Sequence, residues 1–272
     1  RELAVTIAGV TTRHPATRST ALSMKSLLIA AAIALALSPF GASAQNMPTQ
    51  HHITADDGDA IGNFDLSAAA LAKIDALPGQ VPVGNLNGDV TVMQFYDLNC
   101  PYCRAAAHDI DAMVRADSGL KLIFVPYPVL SVESIKGALI ELGAAKMLTP
   151  PQYLDFHRRL YDSRGVIDGD RALAAAKDSG LDPVKVAAAG NTQANLSLLK
   201  QNADVGGQVG LQVTPAYVIG GTAIIGHPGP KALEKIVASM RKCGKVACKL
   251  DAHIRLTVVP GTVCGSPASS AA

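Results

Sequence analysis

Two cysteines lie at the point where a predicted strand gives way to a predicted helix, and this junction constrains the fold more than any other segment. Residues 90–96 (VTVMQFY) are β-branched and aromatic, which predicts a strand. The quartet CPYC at 100–103 follows almost directly, and apolar residues then recur at helical spacing up to Val114. A second apolar strand is predicted at 121–130. The segment therefore predicts a β-α-β unit with the cysteines between its first strand and its helix.

Helices and then further strands are predicted beyond this unit. Pro150 and Pro183 suit first-turn positions, and Asp168 and Asp182 suit helix N-caps. The expected elements are helices at 132–147, 150–161, 169–179, 183–189 and 192–203, strands at 215–219 and 223–225, and a last helix at 230–242. The predicted fold class is therefore α/β, with an all-helical domain inserted between a β-α-β half and a β-β-α half.

The quartet could hold a metal, form a structural disulfide or exchange electrons. A metal site needs further ligands at similar spacing, and the next cysteine lies about 140 residues away. A short Cys-x-x-Cys ring at a helix start is poorly suited to a purely structural disulfide. A helix N-terminus lowers the pKa of a thiol there, which favours Cys100 as the attacking sulfur and Cys103, one turn further in, as the sulfur that resolves a mixed disulfide. Pro101 suits the first helical turn and Tyr102 carries no cation, so we expect a lowered but not extreme pKa.

A second signal is Val213-Thr214-Pro215, at the start of a predicted strand. Proline is confined to strand starts and edges, and an ordered proline in this position is a candidate for a cis peptide bond. A cis Thr214-Pro215 bond beside the cysteines would place the Thr214 backbone N–H and C=O against the sulfurs, where they can pair with an extended substrate strand. Together with the quartet, this signal favours thiol-disulfide exchange.

The N-terminal residues have the pattern of an export signal. Met24 and Lys25 precede an apolar run at 27–37 and an Ala-Ser-Ala segment that ends at Ala44, which predicts a signal peptide at 24–44 with cleavage after Ala44. An apolar run of about 11 residues is well short of the ~20 that span a bilayer. Residues 1–23 are interpreted as upstream mis-translation. The mature chain is expected in an oxidising compartment.

Composition and the remaining cysteines narrow the function further. The chain has 24 Lys and Arg against 22 Asp and Glu, without a run of like charge, which argues against a nucleic-acid partner. A flexible N-terminus with one short helix is expected at 45–80, and a frayed tail at 245–272. Cys243, Cys248 and Cys264 are candidates for a structural disulfide, with Cys243 and Cys248 the nearest pair, but the spacing leaves the pairing open.

The sequence resembles the DsbA family of exported thiol-disulfide oxidoreductases, in the branch of ScsC-like proteins and Com-type outer-membrane antigens. The matching segments are VTVMQFYDLNCPYC, YPVLSVES, FHRRLYDSRGVID and LQVTPAYVIGGTAIIG. The resemblance implies a thioredoxin fold formed by 81–130 and 208–244, with the helical domain at 131–207 inserted, and a periplasmic location.

The resemblance also assigns roles to single residues. It implies that Cys100 is the nucleophile, that Cys103 is the resolving cysteine, and that Pro101 and Tyr102 form the dipeptide that tunes the pair. Thr214-Pro215 would be the cis-proline loop.

Two departures from the family pattern bear on the chemistry. Gln94 stands six residues before the nucleophile, where many relatives carry a buried glutamate, and a carboxamide cannot relay a proton as a carboxylate does. The Pro-Tyr dipeptide differs from the Pro-His of well-known oxidases and matches glutaredoxins. Potentials of about −120 mV for DsbA and about −200 to −230 mV for glutaredoxins differ by about 4 kcal/mol, so the dipeptide can separate a strong oxidant from a mild one.

The predicted function is periplasmic oxidation of protein dithiols through a mixed disulfide at Cys100, without an organic cofactor or metal. The expected partners are substrate proteins with cysteine thiols and, for an oxidase, a membrane redox partner that regenerates the disulfide. A monomer is favoured, because 45–80 offers only one short helix for oligomerisation. Two alternatives stay open: a disulfide isomerase or reductase of the same fold, which Thr214 favours, and a non-catalytic exported module that binds copper or proteins.

Four polar residues near these motifs are weighed as supporting groups. His108 and His227 are interpreted as surface histidines, although His108 lies five residues after Cys103. Asp97 and Asn99, just before the quartet, are interpreted as groups that position the active-site residues and do not react themselves.

Overall fold

The computed structural model describes residues 48–248 of the chain. The predicted signal peptide, the segment before it and Cys264 lie outside these residues. The described strands are β1 (Gly62–Asp65), β2 (Val81–Gly84), β3 (Val90–Tyr96), β4 (Leu120–Pro126), β5 (Ala216–Ile219) and β6 (Thr222–Ile225). The described helices are α1 (Ala68–Asp75), α2 (Pro101–Ala116), α3 (Val132–Ala145), α4 (Pro150–Asp162), α5 (Gly169–Asp178), α6 (Pro183–Gly190), α7 (Gln193–Gln208) and α8 (Pro230–Cys243).

All six strands form one sheet, in the order β1-β6-β5-β3-β4-β2. β3 and β4 run parallel, as expected for strands joined through α2, and the other neighbours are antiparallel. Side chains of β3 alternate between two buried cores. Val92 and Tyr96 pack with α2 and α8 on one face, whereas Met93 and Phe95 pack with α1 on the other. This central strand therefore ends four residues before Cys100, between two covered faces.

Along the chain, the helices α3 to α7 come between β4 and β5, in the order that the sequence predicts. Asp168 accepts a hydrogen bond from Arg171 N, and Asp182 from Val184 N, so both expected N-caps are confirmed. α4 packs against α2 and β2, which brings the inserted helices to the side of the cysteines. Within residues 48–248, no helix combines the length and the apolar character that crossing a membrane requires.

The N-terminal segment differs from the expectation. The sequence predicts a flexible N-terminus with one short helix at 45–80, yet β1 pairs with β6 along the edge of the sheet, and Ile53 is buried. The Asp56 carboxylate accepts hydrogen bonds from Lys231 N and Ala232 N, 3.0 and 2.9 Å away, and so caps α8. A four-residue strand at the sheet edge pairs through its backbone groups. Its side chains therefore carry no periodic pattern that would predict a strand. β1 therefore joins the sheet although it precedes the expected domain boundary at residue 81.

The other sheet edge also carries a strand that the sequence analysis missed. β2 pairs antiparallel with β4, and its Pro82 is tolerated because an edge strand has one side without a ladder partner. β4 ends at Pro126, four residues earlier than predicted. Residues 127–130 instead run past the end of β3, next to the cysteines.

Candidate active site

The junction of β3 and α2 sets the two cysteines at different depths. Cys100 is the N-cap of α2, with extended backbone angles of φ −76° and ψ 122°, and Pro101 is the first helical residue. Cys100 is 4 % exposed and borders a surface cavity, whereas Cys103, one turn later, is fully buried. They are the two free cysteines among the described residues. An incoming sulfur atom therefore reaches Cys100 first.

The Thr214-Pro215 peptide bond is cis and lies against Cys100. The Cys100 Sγ is 3.0 Å from the Thr214 carbonyl oxygen, to which it donates a hydrogen bond in its thiol form. Behind the loop, Gly226 N donates to the Pro215 carbonyl over 2.9 Å, which ties the loop to the end of β6. The structure thus brings together two segments that are 114 residues apart in the sequence.

The environment shifts the pKa values of the two thiols in opposite directions. Cys100 has its pKa lowered to about 6, chiefly because the Cys103 thiol donates a hydrogen bond to its thiolate, with further donors in the Thr214 side chain and the N–H groups of Tyr102 and Cys103. Burial opposes this shift. The pKa of Cys103 is raised far above its ordinary value, first by burial and then by the neighbouring Cys100. The pair therefore holds one thiolate, on Cys100, and one thiol at neutral pH.

An apolar cavity of about 530 Å³ opens beside Cys100. Tyr102 is 70 % exposed at its edge, and Val129, Leu130 and Val213 are also exposed there. Scattered exposed apolar residues are ordinary, but several around one reactive sulfur form a contiguous apolar surface. Such a surface suits an extended polypeptide with apolar side chains better than a small polar ligand.

Asp97 and Asn99 hold the loop before Cys100 in place. The buried Asp97 carboxylate accepts hydrogen bonds from Asn99 N, Ser134 Oγ and Leu130 N, at 2.7, 2.7 and 2.9 Å. Asn99 in turn accepts from Ile167 N at 2.7 Å and donates to the Ile167 carbonyl at 3.0 Å. The side chains of both residues therefore connect the cysteine loop to the inserted helical domain.

Arg104, which the sequence analysis did not single out, makes a second connection to the inserted helices. Its guanidinium donates to the carbonyl oxygens of Tyr161, Ser163 and Gly165, at and beyond the C-terminal end of α4. A cation is favourable at that end, where the last carbonyls of a helix lack partners. The position of Arg104 directly after Cys103 is the sequence signal that could have identified it as part of the site.

The comparison with known families decides the identification. A family model described as thioredoxin matches residues 76–239, which include the cysteine junction, the inserted helices and the cis-proline loop. The chain belongs to the thioredoxin family. Among curated proteins, no significant match was found.

Solved structures of thioredoxin-like proteins agree with this assignment. A thioredoxin-like oxidoreductase from Silicibacter pomeroyi is 28% identical, with 65% of this chain and 98% of that chain covered and a TM-score of 0.57. A periplasmic thioredoxin-like protein from Salmonella enterica serovar Typhimurium is 25% identical, with 65% and 98% covered and a TM-score of 0.56. The catalytic domain of Proteus mirabilis ScsC is 27% identical, with 63% and 96% covered and a TM-score of 0.56.

These findings confirm the resemblance and the fold class. The chain has a thioredoxin-like fold, and it is a thiol-disulfide oxidoreductase of the thioredoxin/DsbA type.

Gln94, the departure from the family pattern, lies in β3 opposite Tyr217 of β5. It is 2 % exposed, and its Oε1 has no hydrogen-bond partner among the described residues. The neighbouring Tyr217 hydroxyl lies 2.8 Å from His227 Nδ1, and His227 Nε2 lies 2.9 Å from an Asp109 carboxylate oxygen. A chain of titratable side chains therefore stands next to the carboxamide.

The interpretation of His227 as a surface histidine is wrong. Its side chain is 11 % exposed and borders the same cavity as Cys100. The hydrogen bond between Gly226 and Pro215 draws its loop to the cis-proline, a contact that no local pattern encodes. His108 is indeed on the surface, 63 % exposed, with its Nε2 2.9 Å from an Asp162 carboxylate oxygen.

A second buried polar cluster joins the inserted helices to the thioredoxin sheet. The Glu141 carboxylate, on α3, is fully buried and accepts from the hydroxyls of Tyr96 and Tyr153 at 2.7 and 3.0 Å. His157 Nδ1 lies 2.7 Å from the same carboxylate. Burial, followed by the charge of Glu141, raises the pKa of both tyrosines, which keeps them protonated as donors. The cluster satisfies a buried carboxylate and fixes β3, α3 and α4 to one another.

The candidate structural cysteines lie away from the quartet. Cys243, the last residue of α8, forms a disulfide with Cys248. Cys264 lies outside the described residues. Among the described residues, no cluster of three or more His, Cys, Asp or Glu side chains is arranged to hold a metal ion.

Proposed function

We propose that the chain oxidises the dithiols of exported proteins in the periplasm, through the Cys100-Cys103 disulfide. The observation that carries this proposal is the lowered pKa of Cys100, about 6, beside a Cys103 whose pKa is raised. At pH 7 a thiol with this pKa is about nine-tenths thiolate. A stabilised thiolate favours the reduced protein and therefore makes its disulfide a better oxidant.

The size of this effect follows from the two pKa values. Lowering a thiol pKa from 9.0 to about 6 favours the reduced form at pH 7 by about 1.4 kcal/mol, equivalent to about 30 mV. Water at the open side of the cavity screens part of the charge, so we expect about 1 kcal/mol. The shift acts in the oxidising direction.

The geometry supports an ordered exchange. A substrate thiolate enters the cavity and attacks Cys100 Sγ, a new S–S bond forms, and the bond between the Cys100 and Cys103 sulfurs breaks. Cys103 leaves as a thiolate and takes up one proton, since its pKa is raised. A second substrate thiolate then attacks the substrate's own sulfur in the mixed disulfide and releases Cys100. The substrate loses two electrons, and the protein gains them as two reduced sulfurs.

The apolar cavity indicates which substrates react. Its exposed rim of Tyr102, Val129, Leu130 and Val213 fits an extended segment that carries apolar residues near its cysteine. Unfolded exported chains present such segments, whereas glutathione does not. We therefore expect Val129→Asp to slow oxidation of a reduced, unfolded protein about tenfold and to leave the reaction with glutathione nearly unchanged.

The periplasmic location and the regenerating partner belong to the same proposal. The predicted signal peptide at 24–44 supports export, and the relative from Salmonella is described as periplasmic. An oxidase must pass its electrons on, so we propose a membrane redox partner that reoxidises Cys100 and Cys103. We propose that the chain acts as a monomer.

One observation favours a second candidate function. Thr214 precedes the cis-proline and contributes a side-chain hydrogen bond to the Cys100 thiolate, and threonine is the residue type found here in isomerase-like relatives. The same fold could then work as a disulfide isomerase or reductase that is kept reduced.

Equilibration of the Cys100-Cys103 pair in glutathione buffers separates these functions. A potential near −120 mV supports the oxidase, and one well below −200 mV supports the reductase or isomerase. Oxidation of reduced ribonuclease by the full chain, with Cys100→Ser as the test variant and Cys243→Ser/Cys248→Ser as the matched control, checks the site. Activity that persists in Cys100→Ser refutes the redox assignment, and stoichiometric Cu(I) on the dialysed wild type would favour the binding module.

A further inference from the structure

Three side chains form a hydrogen-bonded path from the sheet interior to the active-site cavity. Tyr217, on β5, is fully buried, and its hydroxyl is 2.8 Å from His227 Nδ1. His227 Nε2 is 2.9 Å from Asp109 Oδ2, and this carboxylate is 35 % exposed. A carboxylate only accepts hydrogen bonds, so Nε2 carries the proton and Nδ1 is left to accept from the phenol. The path therefore has a defined direction, from Tyr217 through His227 towards solvent.

The inner end of this path lies on the face of the sheet that α2 and the buried Cys103 cover. Tyr217 projects from the same face of the sheet as Gln94, and α2 with Cys103 covers that face in one core. After burial, the charge of a Cys103 thiolate is the largest cause that raises the pKa of Tyr217. At the outer end, His227 and Cys100 border the same cavity.

Thiol-disulfide exchange requires a proton to move at this place. Cys103 is fully buried, and its raised pKa means that it leaves the disulfide as a thiolate but rests as a thiol. Gln94, next to Tyr217, has no proton to exchange near neutral pH. Histidine is the side chain whose ordinary pKa suits proton uptake and release in this range.

We infer that His227 takes up and returns the proton of Cys103 through the Tyr217 hydroxyl, and that Asp109 positions the imidazole. The inference rests on the proposed function. During closure, Cys103 loses its proton, His227 Nδ1 takes up the proton of the Tyr217 hydroxyl, and the Tyr217 oxygen is reprotonated from the side of Cys103, so that one proton in total moves from the sulfur to the imidazole. The Cys103 thiolate attacks Cys100 Sγ, the bond between Cys100 and the substrate sulfur breaks, and the substrate leaves as a thiolate. The reverse transfer protonates Cys103 when the protein disulfide opens.

Several other charged or titratable groups surround the histidine, but Asp109 is the carboxylate in hydrogen-bond contact with it. The phenol of Tyr102 borders the same cavity, and Asp56 accepts hydrogen bonds at the start of α8, just beyond the histidine loop. Of the titratable and charged groups around it, Tyr217 and Asp109 are hydrogen-bonded to His227, Cys100 and Tyr102 border the same cavity, and Asp56 and Lys231 lie at the start of α8, beyond the histidine loop.

The test measures the closure step as a function of pH. The reduced full chain is mixed with a large excess of oxidised glutathione, so that attack by Cys100 is fast and closure by Cys103 limits the rate. The reaction is quenched with acid, and mass spectrometry measures the fraction of protein in the mixed disulfide. The measurement is repeated at pH values between 5 and 9. In the wild type, the closure rate is expected to change less steeply with pH than in a variant without the imidazole, because His227 accepts the proton inside the protein.

The variants separate a proton carrier from a structural residue. His227→Gln keeps a polar side chain but cannot titrate, so closure at pH 7 is expected to slow about 10²-fold and to rise about tenfold per pH unit over the whole range. Tyr217→Phe keeps the ring and is expected to slow closure similarly. Asp109→Asn is expected to slow closure less than His227→Gln does, because the imidazole stays but loses the carboxylate that positions it. His108→Gln, a surface histidine on the same helix as Asp109, is the matched control and keeps the wild-type profile.

Each outcome decides the inference. A wild-type pH profile in His227→Gln overturns it while the redox function stands. If His227→Gln does not fold, a wild-type profile in Tyr217→Phe overturns it equally. If no mixed disulfide forms at Cys100 in the wild type, the proposed function fails and the inference fails with it.

Discussion

Removing the Cys103 thiol tests the main cause of the lowered Cys100 pKa. The hydrogen bond from Cys103 is the largest contribution that lowers this pKa to about 6. A hydrogen bond to a charged group contributes about 1.5–3 kcal/mol, and 1.36 kcal/mol corresponds to one pKa unit. Cys103→Ala is therefore expected to raise the pKa of Cys100 to about 7–8. The Thr214 side chain and the backbone N–H groups remain as donors, which keeps the value below that of a free thiol.

Cys103→Ser is the matched variant, because the serine hydroxyl still donates to the Cys100 thiolate. In this variant the pKa of Cys100 is expected to stay close to the wild-type value. Absorbance of the thiolate at 240 nm against pH measures the midpoint, and the pH dependence of the rate of alkylation by iodoacetamide checks it independently. The Cys243-Cys248 disulfide does not titrate, and Cys264, which lies outside the described residues, is replaced by serine in every variant, so that the signal comes from the active site. A Cys103→Ala protein in which Cys100 titrates at the wild-type pH would refute the argument, since the Thr214 side chain and the backbone N–H groups would then suffice to stabilise the thiolate.

Three further predictions concern the stability of the fold. The pKa of Cys100 is about 6 when folded and 9.0 as a free thiol, so the free energy of unfolding of the reduced chain should rise from pH 6 to 8 and lose this contribution as the pH falls through 6. Urea unfolding at several pH values measures this free energy, with Cys100→Ser as control. Equal dependence on pH in the two proteins would contradict the lowered pKa of Cys100. His157→Phe removes a partner of the buried Glu141 and should reduce the free energy of unfolding by about 3 kcal/mol, more than Glu141→Gln does in the same assay. Replacing Cys243 and Cys248 by serine should reduce it by about 2 kcal/mol, because a short loop is no longer closed, while the rate of insulin reduction stays unchanged.

The sequence predicts the parts of the fold that local patterns encode. The β3-to-α2 junction follows from a β-branched run, two cysteines and a proline at the first helical turn. The inserted helices follow from apolar periodicity together with caps such as Asp168 and Asp182. A cis Thr214-Pro215 bond was a candidate from its strand-start position, and the structure has it. Each of these signals lies within a few residues of the feature that it predicts.

The missed features depend on contacts between distant segments. β1 and β2 are four-residue edge strands that pair through backbone groups, so their side chains carry no periodic pattern. His227 is partly buried because its loop is bonded to the cis-proline strand, and Arg104 donates to carbonyls about 60 residues away. The pairing of Cys243 with Cys248 also needed the fold, since three cysteines follow the last strand.

The pairing of β1 with β6 has a consequence for how the chain matures. β1 is the first of the described strands to be synthesised, and its partner β6 is the last. Contacts between segments this far apart form slowly, because a long loop must close before they contribute stability. The early strand therefore stays without its partner while most of the chain emerges, and its backbone donors and acceptors are available to other strands in the meantime. The sheet is complete only after the ribosome has delivered the residues beyond the cis-proline, so a chain cut short before β6 would expose both the edge of β5 and the unpaired β1.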